Sequence, residues 1–372
     1  MGRRLRRVLT VVVLAVVLCL VVATSYVALV AWRSHRVVTL PAPGGRFAVG
    51  RVEDTGTDEV RDRELAVWTW YPAVAGTGTP ATYAPGAWSG LGIGLPVGET
   101  AMDRVRDPAL EAATPAPGRF PVVVLSPGLG FAAPQYAALA EDLASRGYVV
   151  VGVTPTGSAN LTVIGGDAVG PTDDGNPSDF AGGHTEHDEA VAARLLPTWV
   201  ADARFASATA GRLDRSRILG GHVDPADVSY VGHSFGGTAS LEACHEDPRC
   251  AAAVDLDGTI YGEVGSTGLA VPSLLVGHDG SCVTGECTPD GAADRADVEA
   301  ARRYRSASAG QVRSATVDGI GHLAFSDDGV LYWAWPLRAY LGLGDRAGPE
   351  PLRETADLVT EVLPVRGASA AA

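Results

Sequence analysis

Lysine is absent: all 29 basic residues of the 372-residue chain are arginine. That excludes a P-loop lysine, a pyridoxal Schiff base and a Ser-Lys dyad. Positive charge is also in deficit, because 43 acidic residues leave a formal net charge of −14. Nucleic acid is therefore excluded as a partner, since phosphate would be repelled. There are only five cysteines. Cys244 and Cys250 are six positions apart, and Cys282 and Cys287 five. Neither pair has the two-residue spacing of a zinc knuckle. Two disulfides closing short local loops, 244–250 and 282–287, are expected instead, in an oxidising compartment.

What the chain does have is one long apolar run. Val8–Trp32 carries no charge over 25 residues, more than the roughly 20 needed to span a bilayer. Arg3, Arg4, Arg6 and Arg7 precede it, and Arg33 and Arg36 follow. This bias puts the N-terminus in the cytoplasm and everything from about residue 37 outside. An uncleaved anchor is expected, with Cys19 facing lipid. The rival reading is a signal peptide cut near Ala23-Thr24-Ser25.

Beyond the anchor, "RFAVGRVEDT" and "ELAVWTWYP" alternate like a hairpin at one sheet edge. A helix is expected near 99–113. "FPVVVLSPG" (120–128) and "YVVVGVTP" (148–155) read as strands buried on both faces, with a helix at 134–148 between them. A long polar loop, 156–183, leads to a helix at 184–207, bent or broken near Pro197. Then come "DVSYVG", a helix from Phe235, the strands "CAAAVDLD" and "VPSLLVGH", a helix near 292–308, the strand "VRSATVDG" and a last helix near 331–342. Alternating strands and helices specify a mostly parallel α/β sheet covered on both faces. The expected units are an anchor (1–36), one α/β domain (37–345) and a C-terminal tail (346–372) whose end, "RGASAAA", is disordered.

The chemistry centres on "VSYVGHSFGGTAS" (228–240). A strand meets Gly232, then Ser234, then Gly236 at the head of a helix. This is the context of a nucleophile elbow, where a Cβ at either glycine would crowd the turn. A serine nucleophile needs a base, and an acid to orient it. Of the downstream histidines His245, His278 and His322, the last lies in a Gly-rich loop after the final strand, where the fold presents its base. By position, Asp257 and Asp279 are equal candidates for the acid; Asp255 should be buried below the site.

"FPVVVLSPGLG", "LASRGYVVV", "GHSFGGTAS", "AAVDLDGTIYG" and "GIGHLAFSD", in this order, resemble the platelet-activating-factor acetylhydrolase family of α/β-hydrolases, over roughly residues 45–342. The resemblance implies an α/β-hydrolase fold, Ser234 as nucleophile, Asp257 as acid and His322 as base. It also implies an oxyanion hole from the backbone N–H groups of Phe235 and Leu129. Members often carry a histidine where this chain has Pro127, so the loop at Leu129 is expected to differ in shape.

The function expected is a serine carboxylic ester hydrolase acting outside the cytoplasm on a small-molecule or lipid ester, without cofactor or metal. An acyltransferase on the same triad, or a silent binding protein on a hydrolase fold, are the alternatives. Asp167, Asp173, Asp174 and Asp179 read as a solvated acidic loop rather than a calcium site. His184, His187 and Asp188 read as a capping turn rather than a metal site. Trp88, Leu91, Ile93 and Leu95 either line an acyl entrance or form a peripheral core cluster.

Overall fold

The apolar run forms one helix, α1 (Arg3–Ser34), whose most apolar stretch is exposed. The computed structural model describes residues 2–92, 98–335 and 337–364. Ile93, Leu95 and the "RGASAAA" end therefore lie outside the described residues.

The chain then builds strands β1 (Val38–Thr39), β2 (Ala48–Asp58), β3 (Arg63–Ala73), β4 (Thr79–Thr82), β5 (Val105–Glu111) and β6 (Phe120–Ser126). Helix α2 (Ala137–Ser145), β7 (Val149–Thr154) and a small hairpin, β8 (Thr162–Ile164) with β9 (Asp167–Val169), follow. Next are α3 (Glu186–Leu213), β10 (Val223–His233), α4 (Phe235–Glu246), β11 (Cys250–Leu256), α5 (Val264–Thr267) and β12 (Ser273–His278). The described chain ends with α6 (Ala292–Ala307), β13 (Val312–Val317), α7 (Asp328–Leu331), α8 (Leu337–Tyr340) and α9 (Glu350–Thr360).

The main sheet runs β1-β5-β2-β3-β7-β6-β10-β11-β12-β13, with β4 on β5. From β7 to β13 every pairing is parallel. β6 is buried along its whole length. Its Val123 and Leu125 face a core shared with α2 and α9, while Val122 and Val124 face one shared with α3, α4 and α6. This is the period of two that a strand covered on both faces requires. The strand order reverses at β6, which lies between the later β7 and β10. Ligands of open α/β sheets bind at such switch points, beyond the carboxyl ends of the strands.

Four expectations need correction. The helix expected near 99–113 is a 3₁₀ turn (Met102–Arg104) followed by strand β5. Pro108 cannot donate within a helix and disfavours one before it. The buried Arg51 also holds Asp107 at 2.5 Å and Glu111 at 2.8 Å, two residues on one face of that strand. Because β5 pairs with β2, the β2–β3 hairpin is not the sheet edge. Helix α3 passes through Pro197 without a break. The last helix expected near 331–342 is two short pieces, α7 and α8, and α9 beyond them packs Ala356 and Val359 into the core.

Both expected disulfides are present. Cys244–Cys250 ties the end of α4 to the start of β11. Loops this short are worth roughly 2 kcal/mol each on chain-entropy grounds.

Candidate active site

Ser234 sits between β10 and α4 with φ +55° and ψ −125°, a strained backbone for a residue with a Cβ. The neighbouring glycines make the turn possible. A Cβ on Gly232 would lie 2.0 Å from the Gly236 carbonyl oxygen, and one on Gly236 would lie 2.1 Å from that of Pro127. The turn is therefore wedged against the loop after β6. That loop runs so close that a Cβ on Gly128 would lie 3.3 Å from the Ser234 Cβ.

His322 opens a 3₁₀ turn after β13, and its Nε2 lies 2.9 Å from Ser234 Oγ. Its Nδ1 lies 2.6 Å from Asp257 Oδ2. Asp257 follows β11 at φ +61° and is almost completely buried. A carboxylate only accepts, so the His322 proton is on Nδ1, and the neutral Nε2 can accept the serine proton. The three residues implied by the resemblance thus come together from loops after β10, β11 and β13.

Asp279 does not join them. Its Oδ2 accepts the Gly319 N–H at 2.6 Å and so braces the loop leading to His322. Asp255 is buried beneath the turn and accepts the Gly258 N–H at 2.9 Å; burial raises its pKa well above the usual carboxylate range. His245 is in the last turn of α4, beside Thr267.

Nothing in the motifs singles out His278, yet its Nδ1 is also 2.6 Å from Asp257 Oδ2. One carboxylate oxygen takes both imidazole donors, and Oδ1 accepts the His278 backbone N–H at 3.3 Å. Burial alone would raise the Asp257 pKa, but the hydrogen bonds from His278 and His322 outweigh it and hold it well below its ordinary value. Burial opposes charge on His278, and Asp257 outweighs that too, raising the His278 pKa. Asp257, His278 and His322 are also the one group of three potential ligands found close together among the described residues. Their facing atoms already hydrogen-bond one another.

A second unforeseen histidine, His233, is fully buried. The Gly128 N–H donates to the Tyr136 hydroxyl (3.0 Å), which donates to His233 Nδ1 (2.7 Å). His233 Nε2–H donates to the His322 carbonyl (2.8 Å). This chain of bonds joins the loop at Leu129 to the turn at His322 and needs a neutral His233. Burial first, then the charge of His322, lowers its pKa to about 3. An unfolded histidine takes its proton near 6.5. Between those values the unfolded state binds more protons, so His233 costs stability as pH falls from about 6.5 toward 3. The melting temperature should therefore fall over that window. In His233→Asn, whose amide does not titrate, the fall should be shallower; a parallel fall would remove His233 from the acid sensitivity.

Leu129 and Phe235 line the same pocket of about 390 Å³ as Ser234 and His322. Among the described residues, neither backbone N–H donates to another protein group. Phe180, Tyr261 and Cys282 form apolar walls, and Asp294 and Asp297 lie on the rim. His184 bridges Glu189 (2.6 Å) and Asp297 (3.2 Å), while Thr185 caps α3 through Asp188 N–H, so this segment is a capping turn that also braces the pocket wall. Trp88 is a core residue stacked edge-on against Trp68; Leu91 lines a different groove, near the end of α1.

Comparison with known proteins gives three findings. The sequence model of the family described as platelet-activating factor acetylhydrolase, isoform II, matches residues 35–179. This stretch holds the loop at Leu129 and ends before Ser234. A protein of Arthroderma benhamiae named "Probable 1-alkyl-2-acetylglycerophosphocholine esterase" is 28% identical over 152 residues, 40% of this chain and 34% of that one. The match thus spans about a third of that relative. A solved structure, the ferulic acid esterase from Streptomyces cinnamoneus, aligns with a TM-score of 0.67 at 26% identity, covering 89% of this chain and 97% of that one. The fold is that of the α/β-hydrolases, and residues 35–179 are similar in sequence to the platelet-activating factor acetylhydrolase family.

Proposed function

We propose that the chain is a serine carboxylic ester hydrolase, held in the membrane by α1 with its pocket outside the cytoplasm. The observation that carries this reading is the bonded series from Ser234 Oγ to His322 to the buried Asp257, on a strained elbow beside a lined pocket. His322 takes the Ser234 proton as Oγ attacks the ester carbonyl. Asp257 steadies the imidazolium that forms. The N–H groups of Leu129 and Phe235 receive the developing oxyanion, a donor of this kind being worth about 2.7–4 kcal/mol. His322 then returns the proton to the leaving alcohol. Water attacks the acyl-enzyme by the same route and releases the acid. The esterase relatives support the reaction class, and the disulfides support an oxidising location.

The test is a p-nitrophenyl ester series from acetyl to palmitoyl, beside labelling with a fluorophosphonate. One equivalent of label on the Ser234 peptide, with matching loss of turnover, is expected. Labelling elsewhere, or turnover that survives full labelling, would overturn the reading. The chain-length optimum separates an acetylhydrolase from a lipase.

A further inference from the structure

The last turns of α1 are not a free tether. Val30 is 4% exposed. The Tyr26 hydroxyl donates to the Trp335 carbonyl, and the Ala101 N–H donates to the Ser34 carbonyl at 3.2 Å. The Arg33 guanidinium lies over the Trp333 ring, 5.0 Å from its centroid. The helix is docked on the α/β domain.

That docking sets a depth. At 1.5 Å per residue the uncharged run is about 37 Å long, against a hydrocarbon core of about 30 Å. Its last few residues therefore stand among the headgroups. Tyr26 is about 9 Å down the axis from Trp32, near the level where hydrocarbon gives way to headgroups. Trp335, bonded to it through the backbone, sits at the same level. Trp335 is 65% exposed and Tyr340 86%. Such large aromatic side chains are out of place in water, but in a membrane they gather at this boundary, with ring in lipid and polar edge in water. Arg36 stacks over Trp32 at 4.7 Å, and Arg33 lies over Trp333, at the same end of α1. In a chain with a net charge of −14, cations at this end suit lipid phosphate.

The same segment backs the candidate base. The Leu323 N–H donates to the Gly342 carbonyl at 2.8 Å, and a Cβ on Gly321 would lie 2.5 Å from that oxygen. The chain that carries Trp335 and Tyr340 thus also supports the turn presenting His322.

We propose that the surface bearing Trp335 and Tyr340 is a membrane-seating surface. It rests in the headgroup layer of the outer leaflet beside Trp32, fixes the domain on the bilayer, and favours esters held in that leaflet over esters in water. This rests on α1 being an uncleaved anchor.

The test uses the full chain in vesicles of phosphatidylcholine with phosphatidylglycerol. An intact mass that retains residues 3–34 is checked first; loss of that segment sinks the anchor reading and this inference with it. With the anchor present, tryptophan emission is compared between wild type and Trp335→Phe, in vesicles with and without phosphatidylcholine brominated near the top of its acyl chains. The emission assigned to Trp335 should be quenched, and an unquenched Trp335 overturns the seating surface alone. Trp335→Ser with Tyr340→Ser should keep its rate on p-nitrophenyl acetate and lose about fivefold or more on a bilayer-resident ester. An unchanged ratio of the two rates also overturns it.

Discussion

Replacing Ser234 with alanine is expected to lower kcat by on the order of 10⁶ and leave the fold unchanged. The size follows from the position of Oγ, the one hydroxyl among the described residues bonded to His322 Nε2, at 2.9 Å. The residual rate would come from the pocket and the oxyanion donors, which the substitution leaves alone. The fold should persist because alanine keeps the Cβ and loses just that one side-chain bond. The positive φ is as strained for alanine as for serine, so the elbow is no worse off. Gly232→Ala is the contrasting change: its Cβ would lie 2.0 Å from a backbone oxygen, and loss there would come with loss of fold. The measurement is p-nitrophenyl acetate turnover beside far-UV circular dichroism and melting temperature. Folded Ser234→Ala with appreciable turnover would sink the nucleophile assignment.

The elbow was legible because a strand, two glycines and a serine are local and Gly232 crowds Gly236 within five residues, although the pressure of Gly236 on Pro127 comes from a distant loop. The disulfides were legible for the same reason, each closing a loop of a few residues. The parallel sheet followed from alternating periodicities between residues 120 and 317, which each segment carries by itself. Strand β5 was not legible, because β1, β2 and the buried Arg51, which fix its place in the sheet, are more than fifty residues away. Helix α9 was missed because its apolar face is defined by α2 and the sheet it covers. The two extra histidines were missed for a related reason. His278 ends a strand that carries no motif, and its meeting with Asp257 depends on the β11–β12 register. His233 stands in the motif itself as an ordinary flanking residue. Its role appears only when Tyr136, 97 positions earlier, reaches its ring.

The second large effect separates the two aspartates that position alone left equal. Asp257→Asn should lower kcat by up to about 10⁴, whereas Asp279→Asn should stay within about threefold, since Asp279 accepts one exposed backbone N–H that an asparagine oxygen can also accept. At 257 an amide has no orientation that keeps every bond. With its oxygen at the Oδ2 position it still accepts from both imidazoles, but its NH₂ then faces the His278 backbone N–H, donor against donor. Turned over, its NH₂ faces both Nδ1 atoms and favours the His322 tautomer with the proton on Nε2, which cannot take one from Ser234. Either way the negative charge that stabilises the imidazolium is gone. His278→Gln separates shared from sole support. His278 has a raised pKa, so it charges on the acid side before an ordinary histidine would and then competes for Asp257 with the imidazolium of His322. In wild type the acid limb of kcat/KM should thus record two protons, and in His278→Gln one, with a loss smaller than that of Asp257→Asn. Asp279→Asn losing as much as Asp257→Asn would move the acid to the later strand. An acid limb of the same steepness in His278→Gln would reduce that residue to a wall of the pocket.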